Sequence, residues 1–209
     1  MQIFECEQNS PEWYQARMGL PTASEFSTLL ASGKGGGESK MRTTYMYKLA
    51  GEIITGELMT NYTNAAMERG KAMEDEARKL YAFLHDAEPQ RVGFIANGPK
   101  GCSPDSLIGV NGMIEIKTTE PHLLIALLLR DEFPPQHKAQ CQGGLWVAER
   151  DWIDLVVYWP KMPLFVKRAY RDQAYIRGLE DAVEIFNAEL AAVVEKIKIM
   201  GCTPVQEAA

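Results

Sequence analysis

Apolar residues recur every three or four positions in the first third of the chain, which is the spacing of one buried helix face. Ser10 followed by Pro11 predicts a helix start, because serine caps free backbone amides and proline fits the first helical turn. Thr22 with Glu25 three residues later predicts a second start by similar capping chemistry. A glycine-rich loop follows at 33–40, and two longer helices are predicted at 42–55 and 64–85, separated by Gly56.

The pattern changes to short apolar runs between turn residues in the middle of the chain. Strands are predicted at 91–96, 106–110, 113–118, 152–159 and 164–168. Asn111-Gly112 predicts a hairpin turn. The remaining helices are predicted at 121–130, at 135–149 and from 171 to about 200. We find no repeat or linker, so we expect a single α/β domain over 1–209.

Composition limits the class of protein only loosely. The 209 residues are 46% hydrophobic and 24% charged, which is typical of a globular protein. The longest apolar run, 123–129, is too short for a membrane span, and the first residues lack a secretory pattern, so we expect a cytoplasmic protein. The net charge of −6 mildly disfavours a nucleic-acid partner, although bound cations reverse the local field.

The cysteines are widely scattered, with no C-x-x-C pair that would indicate zinc or a disulfide framework. They are Cys6, Cys102, Cys141 and Cys202. An iron–sulfur cluster would require all four thiolates to converge in space, which scattering alone does not exclude. The pattern favours buried free thiols.

The candidate chemistry lies in Asp105, Glu115 and Lys117. Side chains alternate along a strand, so Glu115 and Lys117 face one side while Ile114 and Ile116 face the packing. The predicted turn folds this strand back beside the residues after Asp105, so two carboxylates and an ammonium converge. Carboxylates hold Mg²⁺, the ion activates water and neutralises phosphate charge, and a lysine can orient the nucleophile. The spacing is that of a PD-(D/E)xK nuclease.

This motif alone leaves an alternative open, because a Pro-Asp pair followed by Glu-x-Lys on a solvated strand face also arises by chance. Two further polar residues are ambiguous when taken singly. Glu74 lies on a predicted helix and Gln140 precedes Gly143-Gly144, and such residues are usually exposed.

Taken together, these segments resemble the lambda exonuclease (YqaJ-type) family of viral recombinases. The matching stretches agree with that family in order and interval and cover most of the chain. They are Trp13…Arg17-x-Gly19, Thr22-Ala23-Ser24-Glu25, Gly70-Lys71…Glu74, Cys102-Ser103-Pro104-Asp105, Glu115-x-Lys117 and Gln140-x-Gln142…Trp146-Val147. The resemblance implies the PD-(D/E)xK restriction-endonuclease-like fold, in which a central mixed β-sheet is flanked by helices.

The resemblance also implies two metal ions. Asp105 and Glu115, with the main-chain carbonyl of Ile116, would bind the first ion, and Asp105 with Glu74 would bind the second. The expected metal is Mg²⁺, with Mn²⁺ as a substitute.

The remaining catalytic roles fall to Lys117 and Gln140. By the same resemblance, Lys117 would position and help deprotonate the attacking water, and Gln140 would assist in orienting that water.

A pocket for a 5′-terminal phosphate is implied at Arg17, Ser24 and Ser103. A guanidinium fork and hydroxyl groups suit phosphate oxygens. The alternatives are a surface ion pair for Arg17 and a helix-cap role for Ser24.

Three positions match the family less well. Met67 falls where the family places an apolar wedge between bases, although a core role is equally compatible with methionine. Lys34 lies near the position at which the family has a basic residue that contacts the minor groove. The sequence of this loop departs from that of the family. His137 replaces the usual tyrosine, and we assign it no role.

The activity implied is a Mg²⁺-dependent, ATP-independent, processive 5′→3′ exonuclease on linear double-stranded DNA with a 5′-phosphate end. It would release mononucleotides and leave a 3′ overhang for a single-strand annealing protein. The family forms a ring-shaped homotrimer, and a phage or prophage protein acting in a bacterial host is implied.

Two alternatives remain, a restriction-type endonuclease and a non-catalytic DNA-end-binding subunit. A closed circular duplex distinguishes the endonuclease from an exonuclease, and the complete Asp105, Glu115 and Lys117 set argues against a non-catalytic subunit.

Overall fold

The computed structural model describes residues 1–32, 39–57 and 65–202, with the side chains of 65–69, 71, 201 and 202 excepted. The helices are α1 (Pro11–Arg17), α2 (Phe26–Leu30), α3 (Lys40–Thr55), α4 (Ala65–His85), α5 (Pro121–Arg130), α6 (Lys138–Ala148) and α7 (Gln173–Cys202). The strands are β1 (Gln2–Phe4), β2 (Pro89–Gln90), β3 (Phe94–Ala96), β4 (Gly101–Cys102), β5 (Ser106–Ile108), β6 (Gly112–Thr118), β7 (Trp152–Tyr158) and β8 (Phe165–Tyr170). Short 3₁₀ turns occur at Ala23–Glu25 and Pro135–His137.

The larger sheet is mixed and has the strand order β2-β5-β6-β7-β8. Strands β6 and β7 are parallel, and the other neighbouring pairs are antiparallel. A parallel pair requires a crossover connection, and helices α5 and α6 provide it. A smaller antiparallel sheet has the strand order β1-β3-β4.

Helices cover both faces of the larger sheet. On one face, Ala77 and Tyr81 of α4 pack against Ile114 and Ile116 of β6. On the other face, a larger core includes side chains of α6 and α7. The predicted orientation of the two isoleucines is confirmed, so Glu115 and Lys117 face the α6 side.

Local helix signals agree with the structure. Ser10 caps α1 by accepting a hydrogen bond from the Trp13 amide. Gly56 ends α3 in the left-handed conformation, and α5 spans the predicted residues. Among the described residues, no helix combines the length and apolar character needed to cross a membrane.

Three local predictions were wrong. Of the strand predicted at 91–96, only Phe94–Ala96 forms a strand, β3, which pairs with the distant β1; residues 91–93 lie between β2 and β3 and belong to neither. The hairpin loop comprises 109–111 rather than Asn111-Gly112, with Gly109 left-handed at φ 52°. Thr22 occupies the predicted cap position, but its side chain makes no capping hydrogen bond.

Candidate active site

Asp105 is fixed directly to the strand that carries the other catalytic candidates. Its main-chain amide donates to the carbonyl of Ile114 at 3.2 Å. Its carboxylate Oδ2 accepts a hydrogen bond from the amide of Ile116. These two bonds hold Asp105 beside β6, as the predicted hairpin required.

Glu115 is held by two donors at a single oxygen. Lys117 Nζ lies 2.8 Å from Glu115 Oε1, and Gln140 Nε2 donates to the same oxygen at 2.6 Å. Because both groups use Oε1, Glu115 Oε2 is the oxygen that neither of them occupies. The Glu115 side chain is only 7% exposed, so its charge is poorly screened by water.

Close packing of α6 brings Gln140 to this position. A Cβ at Gly143 would lie 2.4 Å from the Phe26 ring, and one at Gly144 would lie 3.0 Å from Met113. The absence of side chains at these two glycines allows α6 to approach both α2 and β6. Gln140, one turn earlier on α6, thereby reaches Glu115.

Glu74 reaches the same region from α4, where Arg78 binds it. Arg78 is buried and donates to Glu74, to Asp75 at 2.7 Å and to Ser106 Oγ at 3.0 Å. It also donates to the main-chain carbonyl of Asp105 at 3.4 Å. Arg78 therefore connects the helix bearing Glu74 to the backbone bearing Asp105.

The site carries an excess of negative charge. Burial, followed by the charges of Glu115 and Glu74, raises the pKa of Asp105 well above its usual range. Burial lowers the pKa of Lys117, but the charge and hydrogen bond of Glu115 together with the charge of Asp105 oppose it, and the net shift is upward. Lys117 is accordingly an ammonium at neutral pH in this arrangement.

These residues fit a divalent cation. Two carboxylates and a main-chain carbonyl are the hard oxygen donors that Mg²⁺ prefers, and a cation would relieve their repulsion. Within the described ranges, no three aspartate, glutamate, histidine or cysteine side chains form a ready-made metal cluster. The candidate ligands are therefore the carboxylates of Asp105 and Glu115 with the carbonyl of Ile116.

The three residues of the predicted phosphate pocket line the same cavity as Asp105 and Glu115. The volume of this cavity is about 200 Å³. Arg17 Nη2 donates to Thr22 Oγ1 at 3.3 Å, and that oxygen lies 3.2 Å from Ser24 Oγ. Arg17 forms no ion pair with any described residue. The two helix starts near Ser24, at Ala23 and Phe26, have no capping hydrogen bond from a side chain, Ser24 included. The geometry thus favours the pocket over the surface ion pair and the helix cap.

Several contributors to the site were missed by sequence reasoning. Gln8 Nε2 donates to the carbonyls of Val92 and Pro104, both at 3.1 Å, which secures the segment before Asp105. No local pattern reveals contacts over such separations. The Thr22 hydroxyl was assigned to capping, although it faces the pocket. Arg78 is four residues after Glu74, and that helical spacing was the available signal.

The remaining candidates either lie outside the described residues or have other roles. Lys34 lies outside the described residues, and Met67 lies on α4 without a described side chain. Gln142 binds the backbone around Tyr170 and Asp172 through both ends of its amide, so its role is structural. Cys6, Cys102 and Cys141 are free thiols, and burial raises the pKa of each.

Comparisons with known proteins give matches of both sequence and fold. The model of the YqaJ-like viral recombinase domain matches residues 12–151. The alkaline exonuclease LHK-Exo from Laribacter hongkongensis is 32% identical over 92% of this chain and 98% of its own, with a TM-score of 0.82. LHK-Exo in complex with dAMP gives the same identity and coverage and a TM-score of 0.83.

A more distant structure shows similarity of fold alone. The phage related exonuclease from Haemophilus somnus 129PT is 12% identical over 85% of this chain and 96% of its own, with a TM-score of 0.64. No curated protein sequence matches significantly. The structural matches confirm the predicted α/β architecture, a central mixed sheet flanked by helices.

Proposed function

The chain belongs to the YqaJ-like viral recombinase family, and from that premise we propose that it is a metal-dependent 5′→3′ exonuclease of linear double-stranded DNA. Its fold is the PD-(D/E)xK type that the sequence resemblance implied. The enzyme acts without ATP, releases mononucleotides processively and leaves a 3′ overhang.

One observation carries this proposal. The cavity that contains the acidic pair Asp105 and Glu115 is also lined by Arg17, Ser24 and Ser103. A guanidinium and hydroxyl groups bind a terminal phosphate, and the carboxylates lie in the same cavity. This combination suits an enzyme that grips a 5′ end and cleaves the adjoining phosphodiester.

The residues divide the work of hydrolysis. Bound at Asp105, Glu115 and the Ile116 carbonyl, Mg²⁺ would supply Lewis acidity and stabilise charge on the scissile phosphate. Lys117 retains further N–H donors beyond its contact with Glu115, and these orient the attacking water and the phosphate oxygens. Gln140 holds Glu115 and assists in orienting the water.

A second ion is assigned to Asp105 and Glu74. In this structure Arg78 donates to Glu74 Oε1, so Oε2 is the oxygen that a second ion would use. Titration calorimetry with Mn²⁺ should therefore resolve two binding steps in the wild type and one in Glu74→Gln. A single step in the wild type would contradict the two-ion assignment.

The proposed assembly is a ring-shaped homotrimer around DNA, acting in the cytoplasm of a bacterial host with a single-strand annealing protein. Helix α5 exposes apolar side chains at Leu123, Ile125 and Leu129, which provide a candidate interface. Light scattering should report three copies at working concentration. A monomer alone would refute the ring.

The active-site assignment is tested with Lys117→Ala and Asp105→Asn. We expect Lys117→Ala to bind Mn²⁺ but to lose about 100-fold or more of the rate, because it removes a group acting in the reaction. Asp105→Asn should lose both metal binding and cleavage. Lys138→Ala is a matched control, since Lys138 pairs with Asp172 outside the cavity. Normal cleavage by Lys117→Ala would refute the assignment.

A further inference from the structure

Trp13 lies at the junction of two parts of the phosphate pocket. It is a residue of α1, only 7% exposed, and it lines the cavity shared with Asp105. In the sequence, Trp13 has no individual role and is only part of a stretch that resembles the family. The structure gives its ring nitrogen and its ring face separate contacts.

The ring nitrogen binds Ser103. Trp13 Nε1 donates to Ser103 Oγ at 2.8 Å and to the carbonyl of Gly93 at 3.0 Å. An indole nitrogen is a donor only, so Ser103 must be the acceptor in this pair. The hydroxyl hydrogen of Ser103 therefore points away from the indole and remains available to a second oxygen. A phosphate in the cavity is such an acceptor.

The ring face holds Arg17. The guanidinium carbon lies 4.1 Å from the centre of the Trp13 ring, within the range of a cation–π contact. The hydrogen bond from Arg17 to Thr22 fixes the other side of the guanidinium. Arg17 is thus ordered without an ion pair to any carboxylate in the described part of the chain, although Glu52 and Glu25 lie near enough to favour its charged form.

We propose that Trp13 is the positioning residue of the 5′-phosphate pocket, orienting the Ser103 hydroxyl through its N–H and Arg17 through its ring. This inference rests on the proposed function, because it concerns the same terminal phosphate. It predicts that Trp13 controls the preference for phosphorylated ends rather than the hydrolysis step.

The test compares digestion of two linear duplexes that differ only in a 5′-phosphate or a 5′-hydroxyl end. The rate ratio of the two ends is measured for the wild type and for Trp13→Phe, which keeps an aromatic ring and lacks the N–H. Trp152→Phe is the matched control, because Trp152 also lies under an arginine, Arg168 at 3.7 Å, outside this cavity. A general loss of structure lowers both rates equally and leaves the ratio unchanged.

Loss of one orienting hydrogen bond should reduce the ratio about three- to tenfold in Trp13→Phe, with the hydroxyl-end rate maintained. Trp152→Phe should keep the wild-type ratio. If Trp13 acts through Ser103, adding Trp13→Phe to Ser103→Ala should change the ratio by less than about twofold. A wild-type ratio in Trp13→Phe, or equal losses at both ends, would overturn the inference.

Two further outcomes are decisive. A wild-type ratio of one would refute the proposed phosphate pocket, and with it the role of Trp13, while leaving the metal site intact. If Trp13→Phe does not fold, 3-benzothienylalanine at position 13 keeps the bicyclic shape without the N–H. The same fall in ratio is expected there, and an unchanged ratio would overturn the inference.

Discussion

Gly143→Ala tests how packing positions the catalytic amide of Gln140. A Cβ at position 143 would lie 2.4 Å from Phe26 Cδ2 and 3.4 Å from the Cβ of Ala23. The Phe26 ring is fully buried, so it cannot turn into solvent to make room. Overpacking of this kind costs about 3 kcal/mol at the upper end of the usual range, and alanine returns about 1 kcal/mol of helix propensity. The expected net loss is about 2 kcal/mol.

Urea unfolding measures this loss against a matched control. With a denaturant dependence of about 2 kcal/mol per molar, the urea midpoint should fall by about 1 M. Gly178→Ala is the control, because Gly178 lies on α7 with no atom within 4 Å of an added Cβ. It should gain about 1 kcal/mol from helix propensity.

The same substitution should affect catalysis. Displacement of α6 moves Gln140 away from Glu115, so cleavage should fall even at urea-free conditions where Gly143→Ala is folded. Gly178→Ala should cleave DNA at the wild-type rate. If Gly143→Ala matched Gly178→Ala in both stability and rate, the packing argument would be wrong.

Three further predictions concern single interactions. Burial raises the pKa of Tyr45 to about 12. The neutral phenol therefore contributes to the free energy of unfolding below the unfolded-state pKa near 10, and this contribution is lost as the pH rises from 10 to 12. Urea unfolding should show that wild type loses up to about 3 kcal/mol more free energy of unfolding between pH 10 and pH 12 than Tyr45→Phe does. Identical pH profiles of the two proteins would contradict this. Arg78→Lys should lower the free energy of unfolding in urea by about 1 to 3 kcal/mol, because several buried hydrogen bonds are lost. Arg91→Lys, which alters an exposed ion pair, should lower it by under about 1 kcal/mol. Equal losses would refute the bridging role of Arg78. Gln140→Leu should lower the cleavage rate about tenfold or more and leave Mn²⁺ affinity within about twofold; an unchanged rate would exclude a catalytic role for Gln140.

The sequence predicted the elements whose signals are local. Ser10 and Gly56 mark helix ends by short-range hydrogen bonding and backbone conformation, and both agree with the structure. Strand partners are chosen over long separations. The pairing of β1 with β3, some ninety residues apart, has no signature in either segment, so β1 was not predicted and the strand predicted at 91–96 began too early.

The candidate site shows the same difference between local signals and long-range contacts. Asp105, Glu115 and Lys117 lie close together in the chain, so strand alternation and a turn were sufficient to bring them together. Glu74 and Gln140 were ambiguous individually and were selected only through the family resemblance. The contacts of Gln8 and Trp13 join segments eighty or more residues apart, and only the folded chain reveals them.

The most direct test of the proposed function is digestion of a 5′-phosphorylated linear duplex and the matching closed circle, each with Mg²⁺ and with EDTA. We predict loss of the linear DNA alone, only with Mg²⁺, with nucleotides released from the 5′ ends. Cutting of the closed circle would indicate an endonuclease. No change in either substrate would contradict a catalytic role and favour a DNA-end-binding subunit.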